Sequence, residues 1–112
     1  MEGRPTEDTE LVERAKHGDQ DAYADLVTRY QSIAARTAYV ITGTQIDAED
    51  AAQEAFLTAY RRLDGFRGDA SFKTWVLTIA WHQAINQRRR LARWWRLFGQ
   101  SRGKGGRGQL RR

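Results

Sequence analysis

Residues Gly65–Arg90, GFRGDASFKTWVLTIAWHQAINQRRR, join a short polar loop to a long helix. Gly65, Arg67, Gly68 and Asp69 make the loop, with Phe66 on one side and Phe72 and Trp75 on the other. Ser71 stands where a helix N-cap is expected, with Lys73 and Thr74 in the first turn. Phe72, Val76, Ile79 and Ala80 are predicted to face a core. Trp75, His82, Asn86, Arg89 and Arg93, spaced by 7, 4, 3 and 4, share a second face. Taken singly, Trp75 reads as core packing and His82 as a surface histidine. As a row they continue the aromatic loop into polar and cationic groups that end at Arg88, Arg89 and Arg90. Aromatics beside a flexible loop suit stacking on unpaired bases, and a basic helix suits the flanking phosphates. The stretch is predicted to hold opened, single-stranded DNA.

With 112 residues the chain is expected to be one domain, or one domain with a tail, whose helices share a single modest core. One proline and no strand-like alternation predict an all-α fold, a compact bundle of about four helices with a disordered basic C-terminal tail. Without cysteine there is no disulfide or thiolate site, and the two histidines, His17 and His82, are far apart, so no metal site is predicted. No apolar run approaches a membrane span, and the start MEGRPTEDTE is too acidic for a signal peptide, which predicts a cytoplasmic protein without membrane insertion. No nucleophile–base pair is evident, and GKGGRG at 103–108 lacks the strand and helix of a P-loop. No catalytic residue and no cofactor are therefore expected. The net charge of +5 is unevenly spread: residues 1–65 hold 7 Lys/Arg against 13 Asp/Glu, residues 66–112 hold 12 against one. An acidic front and a basic back suggest two partners, one a polyanion.

In chain order, residues 1–8 are expected to be disordered, 9–98 to form the helical domain, and the Gly/Arg-rich 99–112 to be a disordered tail. Asp8 or Thr9 is the expected cap of a first helix carrying Leu11, Val12 and Ala15 and closed by Gly18. Asp19 caps a second, with Tyr23, Leu26, Val27, Tyr30, Ile33, Ala34, Thr37, Ala38 and Ile41 at helical spacing, ended by Gly43. Asp47 is the expected cap of a third, whose buried stripe is Ala52, Ala55, Phe56, Ala59, Tyr60 and Leu63. Its other face carries Asp50, Gln53, Glu54, Leu57 and Arg61. Early acids suit the helix dipole, and one exposed leucine is ordinary. A leucine ringed by carboxylates is equally the form of a docking site for a basic partner helix. Beyond Arg90 the last helix is expected to run through LARWWRLF to Gly99. Trp94, Trp95, Leu97 and Phe98 there either fold back on the core or form an exposed patch for a partner or a membrane surface.

DAEDAAQEAFLTAYRRL (47–63) followed by F-x-T-W-x-x-x-I-A (72–80) resembles region 2 of the sigma-70 family, and within it the small extracytoplasmic-function sigma factors of bacterial RNA polymerase. The likeness runs from about Thr9 to Arg90. It implies that the third helix docks on a basic coiled coil of the largest subunit of core RNA polymerase through Asp50, Gln53, Glu54 and Leu57. It implies that promoter DNA, partly single-stranded, is held by the loop and fourth helix. A base flipped from the −10 element falls to Phe66, Arg67, Asp69, Ala70, Ser71 and Phe72. Neighbouring bases and backbone fall to Lys73, Trp75, His82, Asn86, Arg89 and Arg90. Family members often have asparagine in place of His82, aspartate or asparagine at Asn86 and a hydrophobic residue at Arg88, so base preference is expected to differ; Trp81 is large for its place.

The function implied is that of an RNA polymerase sigma factor domain that binds core polymerase and recognises and melts the −10 element. An anti-sigma factor is the expected regulator. The alternative is a truncated sigma-like interaction protein that binds an anti-sigma factor or polymerase without starting transcription. Nothing after Phe98 resembles the family's second helical domain, which reads the −35 element. A fragment, a natural truncation and a frame shifted near Leu97 are the three expectations for that. A basic amphipathic membrane binder is a third class, and an enzyme the least favoured.

Overall fold

The computed structural model describes residues 6–99, and every regular element among them is helical. The first helix, α1 (Asp8–Lys16), begins inside the stretch expected to be disordered. Glu7 holds the cap position but makes no side-chain capping bond. Asp8, expected as a cap, instead accepts hydrogen bonds from Arg29 (2.7 Å) and from the Tyr30 hydroxyl, tying α1 to the second helix. Burial, and then the Asp8 carboxylate, push the Tyr30 hydroxyl up to about 12.

Gly18, in the left-handed region, turns the chain into α2 (Gln20–Thr42), whose cap is Asp19: the Ala22 amide donates to its carboxylate at 3.1 Å. Gly43, with φ 78°, closes α2 by donating its amide to the Tyr39 carbonyl. The cap of α3 (Gln45–Arg61) is Thr44 rather than Asp47. The turn at Gly43 leaves Thr44 extended, so its hydroxyl accepts from the Asp47 amide, and Asp47 falls in the first turn, where its charge faces the helix dipole. A single 3₁₀ turn, Leu63–Gly65, leads into the loop, and Ser71 caps α4 (Phe72–Trp94), which ends in one π-helical turn, Trp95–Gly99.

The larger part of the core joins all four helices. Leu11, Leu26 and Val76 are its largest side chains with no exposed surface. Inside it the Tyr23 hydroxyl donates to the Phe56 carbonyl at 2.6 Å, and burial raises its pKa. Tyr60, expected in the buried stripe of α3, is 40% exposed and leans on the Tyr23 ring at 4.9 Å. A second cluster consists of Ala38, Ala48, Ala51 and Ala84. Alanine methyl groups, with Ile41 packed beside them, fill the space between the end of α2, the start of α3 and the middle of α4, and small side chains let helices lie close. Polar ties flank it: Gln83 donates to the Thr58 hydroxyl (3.2 Å), Gln87 to Asp50 (3.1 Å) and Arg88 to the Ile41 carbonyl (2.9 Å).

Two outcomes follow from this packing. Leu26→Ala, which opens a cavity among all-buried neighbours, is expected to lower unfolding free energy by about 3 kcal/mol, measured by urea denaturation. The second concerns Asp19. The Ala22 amide, followed by the Arg14 guanidinium, holds its carboxyl below the ordinary 3.8. That stabilisation is full above the ordinary value and is lost as pH falls through the lower folded-state value. Asp19→Ala is therefore expected to lower the thermal midpoint at pH 7, with the gap closing as pH falls below the ordinary carboxylate value of 3.8; circular-dichroism melts across an acid series check it.

Candidate nucleic-acid interface and acidic docking face

The loop before α4 owes its shape to three local devices. The Phe66 amide closes on the Leu63 carbonyl at 3.0 Å, Gly68 takes φ 84°, and Ser71 accepts the Thr74 amide at 3.1 Å. Between these points Arg67, Gly68, Asp69, Ala70 and Ser71 are all exposed. A left-handed residue at Gly68 lets the loop turn without burying any of them.

Beneath the loop the aromatics are not open faces. Phe66 is 8% exposed and Phe72 2%. Phe66 stacks obliquely on Trp75 at 4.7 Å and meets Phe72 edge-on at 6.2 Å. Phe72 faces the core as the periodicity predicted, and the ring of Phe66, read as part of the loop's base pocket, is itself packed against Phe72 and Trp75. They form a rigid floor, and Trp75, half-buried, is the one of the three with ring surface left.

From Trp75 outward the row is as the spacing predicted, with His82, Asn86, Arg89 and Arg93 exposed along one side of α4 and Arg90 exposed beside them. Lys73 is exposed too, but two helical residues before Trp75 place it about 200° around the helix, away from the row. The structure also adds a residue that the sequence did not suggest. Lys16, the last residue of α1, donates to the Phe66 carbonyl at 2.7 Å, with its ammonium 6.0 Å from the centre of the Phe66 ring.

On α3, Asp50, Gln53, Glu54 and Leu57 are exposed and follow the i, i+3, i+4, i+7 pattern of a single face. Leu57 is 51% exposed. Gln53 and Leu57 also form one wall of an open groove of about 1180 Å³, whose other wall is α2, with Gln31, Ala35, Arg36 and Tyr39. The α2 wall was missed, although exposed Tyr39 near the end of a helix with an otherwise buried stripe was a signal for it. Asp50 has a second role, as acceptor for the α4 residue Gln87.

The chain beyond Arg88 decides between the two readings of the aromatic cluster. Trp94, Trp95, Leu97 and Phe98 are all exposed, as is Leu91, and Trp94 meets Trp95 (5.0 Å) and Phe98 (5.6 Å) rather than folding back on the core.

The sequence pattern described as Sigma-70 region 2 matches residues 26–95, from the second turn of α2 to just past the end of α4. The chain belongs to the sigma-70 region 2 family. It is 49% identical over 81 residues to the ECF RNA polymerase sigma-E factor of Escherichia coli K12, a match covering 70% of this chain and 41% of that protein. It is 42% identical over 80 residues to the RNA polymerase sigma-H factor of Pseudomonas aeruginosa, covering 71% of this chain and 42% of the other. The matches thus span about two fifths of the length of these relatives. Among solved structures, an engineered region 2 of sigmaE in complex with GTAAAA is 40% identical, with a TM-score of 0.74, over 88% of this chain and 99% of the other. The sigma region 2 fold and the four-helix expectation agree with one another here.

The floor under the loop has a direct test. Phe66→Ala is expected to lower stability by about 3–5 kcal/mol, whereas Arg67→Ala, on the exposed loop, changes it by less than about 0.5 kcal/mol. Paired chemical denaturation curves distinguish a structural Phe66 from one whose ring is available to a ligand.

Proposed function

We propose that this chain is the promoter-recognition domain of a sigma factor, acting in the cytoplasm on core RNA polymerase and the −10 element. The observation that carries the reading is the exposed loop Arg67–Ser71 opening onto the row Trp75, His82, Asn86 and Arg89, in a fold whose counterpart in the engineered sigmaE region 2 is a complex with GTAAAA. No covalent step is involved. Drawing a base out of the stack costs a few kcal/mol, which stacking and base-edge hydrogen bonds must return. In this chain the rigid floor supports the loop, Trp75 supplies the residual aromatic surface, and Asn86 and His82 supply polar groups for base edges. Arg89 and Arg90 supply salt-sensitive backbone attraction.

The second surface is the acidic face of α3. Asp50, Gln53, Glu54 and Leu57, backed by the α2 wall of the groove, suit a basic partner helix: carboxylates for its cations and a leucine anchor between them. The family resemblance assigns that partner to the coiled coil of the largest polymerase subunit. The openness of this groove, on elements separate from the DNA row, also favours a second reading, an interaction protein that occupies polymerase or an anti-sigma factor without initiating transcription.

Purified chain mixed with core polymerase is expected to form a complex that Glu54→Arg weakens by at least about tenfold. In a separate arm, labelled single-stranded GTAAAA is expected to bind, with Arg89→Ala plus Arg90→Ala losing about tenfold in affinity. Polymerase binding without any promoter-dependent transcript in vitro would favour the interaction-protein reading. A folded, helical chain that binds neither ligand would remove the sigma reading.

A further inference from the structure

We infer that Lys16 is a ligand for a backbone phosphate of the strand held at the loop, contributed by a helix that precedes the matched residues 26–95. The inference rests on the reading of the loop as the nucleic-acid site. Lys16 lies in the acidic half of the chain, fifty residues from the loop, yet its ammonium is held at the base of the loop by the 2.7 Å bond to the Phe66 carbonyl. Among the described residues it forms no ion pair with a carboxylate. An ammonium has three donors arranged tetrahedrally. With one on the carbonyl, the other two point away from it.

Three features make this a phosphate site rather than a brace alone. The charge is already immobilised, by the carbonyl and by the Phe66 ring 6.0 Å away, so binding orders little further side-chain freedom. The side chain is half-buried, which leaves part of it open to a ligand and weakens the screening of its charge by solvent. The carbonyl that it holds belongs to Phe66, whose next neighbours, Arg67 to Ser71, are the exposed loop. A strand whose unpaired base enters that loop must carry its phosphodiester past the loop's base, where Lys16 is a fixed cation.

The experiment separates the charge from the hydrogen bond. Affinity of the whole chain for labelled single-stranded GTAAAA is measured across a salt series. Each phosphate neutralised on a single strand contributes about 0.7 to the slope of log affinity against log salt. Lys16→Gln keeps an N–H donor for the carbonyl but removes the charge. It is expected to reduce the magnitude of the slope by about 0.7 and to weaken binding severalfold at low salt. Lys16→Arg is expected to restore both. A slope equal to wild type in Lys16→Gln, whether or not affinity falls, would overturn the inference and leave Lys16 a brace for the loop. Thermal melts of each variant show that it is folded. A wild-type chain that does not bind the hexamer at any salt would instead overturn the loop reading itself, and this inference with it.

Discussion

The ring of Phe72 fixes where α4 begins, and most of the site depends on that. As the first residue of α4 it is almost fully buried, and it contacts four other aromatics: Tyr23 and Tyr30 of α2, Phe66 before the loop, and Trp75 one turn on, at 6.0–6.3 Å. Edge-to-face and tilted pairs of this kind add to area burial and favour definite ring orientations. Through Tyr30 the cluster reaches Asp8 and α1; through Phe66 it reaches Lys16. The loop is consequently pinned at both ends, by Ser71 as a cap and by Phe66 as a wedge, while its four middle residues stay in solvent. Rigid supports with exposed polar tips are what a site needs if it is to recognise a ligand without ordering itself first.

The two candidate surfaces lie on different helices but are not mechanically independent. Where α3 and α4 meet, alanines bring the backbones together, and Gln87 ties the acidic residue Asp50 to the basic helix. Gln87 is itself 8% exposed, and among the described residues its side-chain carbonyl oxygen has no partner. A buried amide half-satisfied in this way is kept for its one good bond, since an apolar side chain would avoid the desolvation cost altogether. The bond helps to fix the rotation of α4 about its axis, and with it the direction in which Asn86 and Arg89 face.

Much of this was legible from local chemistry. Asp19 and Ser71 are residues with a side-chain oxygen placed just ahead of an apolar periodicity, Gly18 and Gly43 follow the last periodic residues, and the row on α4 is a matter of counting. The misreadings arise where two local candidates compete or where the deciding partner is distant. Thr44 and Asp47 are both good caps three residues apart, and the left-handed turn at Gly43 selected the earlier one. Phe66 beside a loop reads the same whether its ring awaits a base or already lies on Trp75. Lys16 had no local signal at all, because its partner is a backbone carbonyl, which is the same in every sequence. The α2 wall of the groove was hidden for a related reason: it becomes a wall only when α3 is laid against it.

From Arg88 to Phe98 every residue is exposed, so α4 continues past the bodies it packs against. Up to Arg88, whose guanidinium reaches the Ile41 carbonyl, the helix is tied to its neighbours; beyond that it is held by its own hydrogen bonds, over a length of about 15 Å. Helices that lack tertiary support are marginal at such lengths. A gradient of local stability is thereby built into a single continuous helix. Amide hydrogens near the fully buried Val76 are expected to exchange with solvent only when the whole domain opens, and those around the exposed Leu91–Trp95 through fraying that leaves the bundle intact. The arginines Arg89 and Arg90 sit on the boundary, anchored below and free to adjust above.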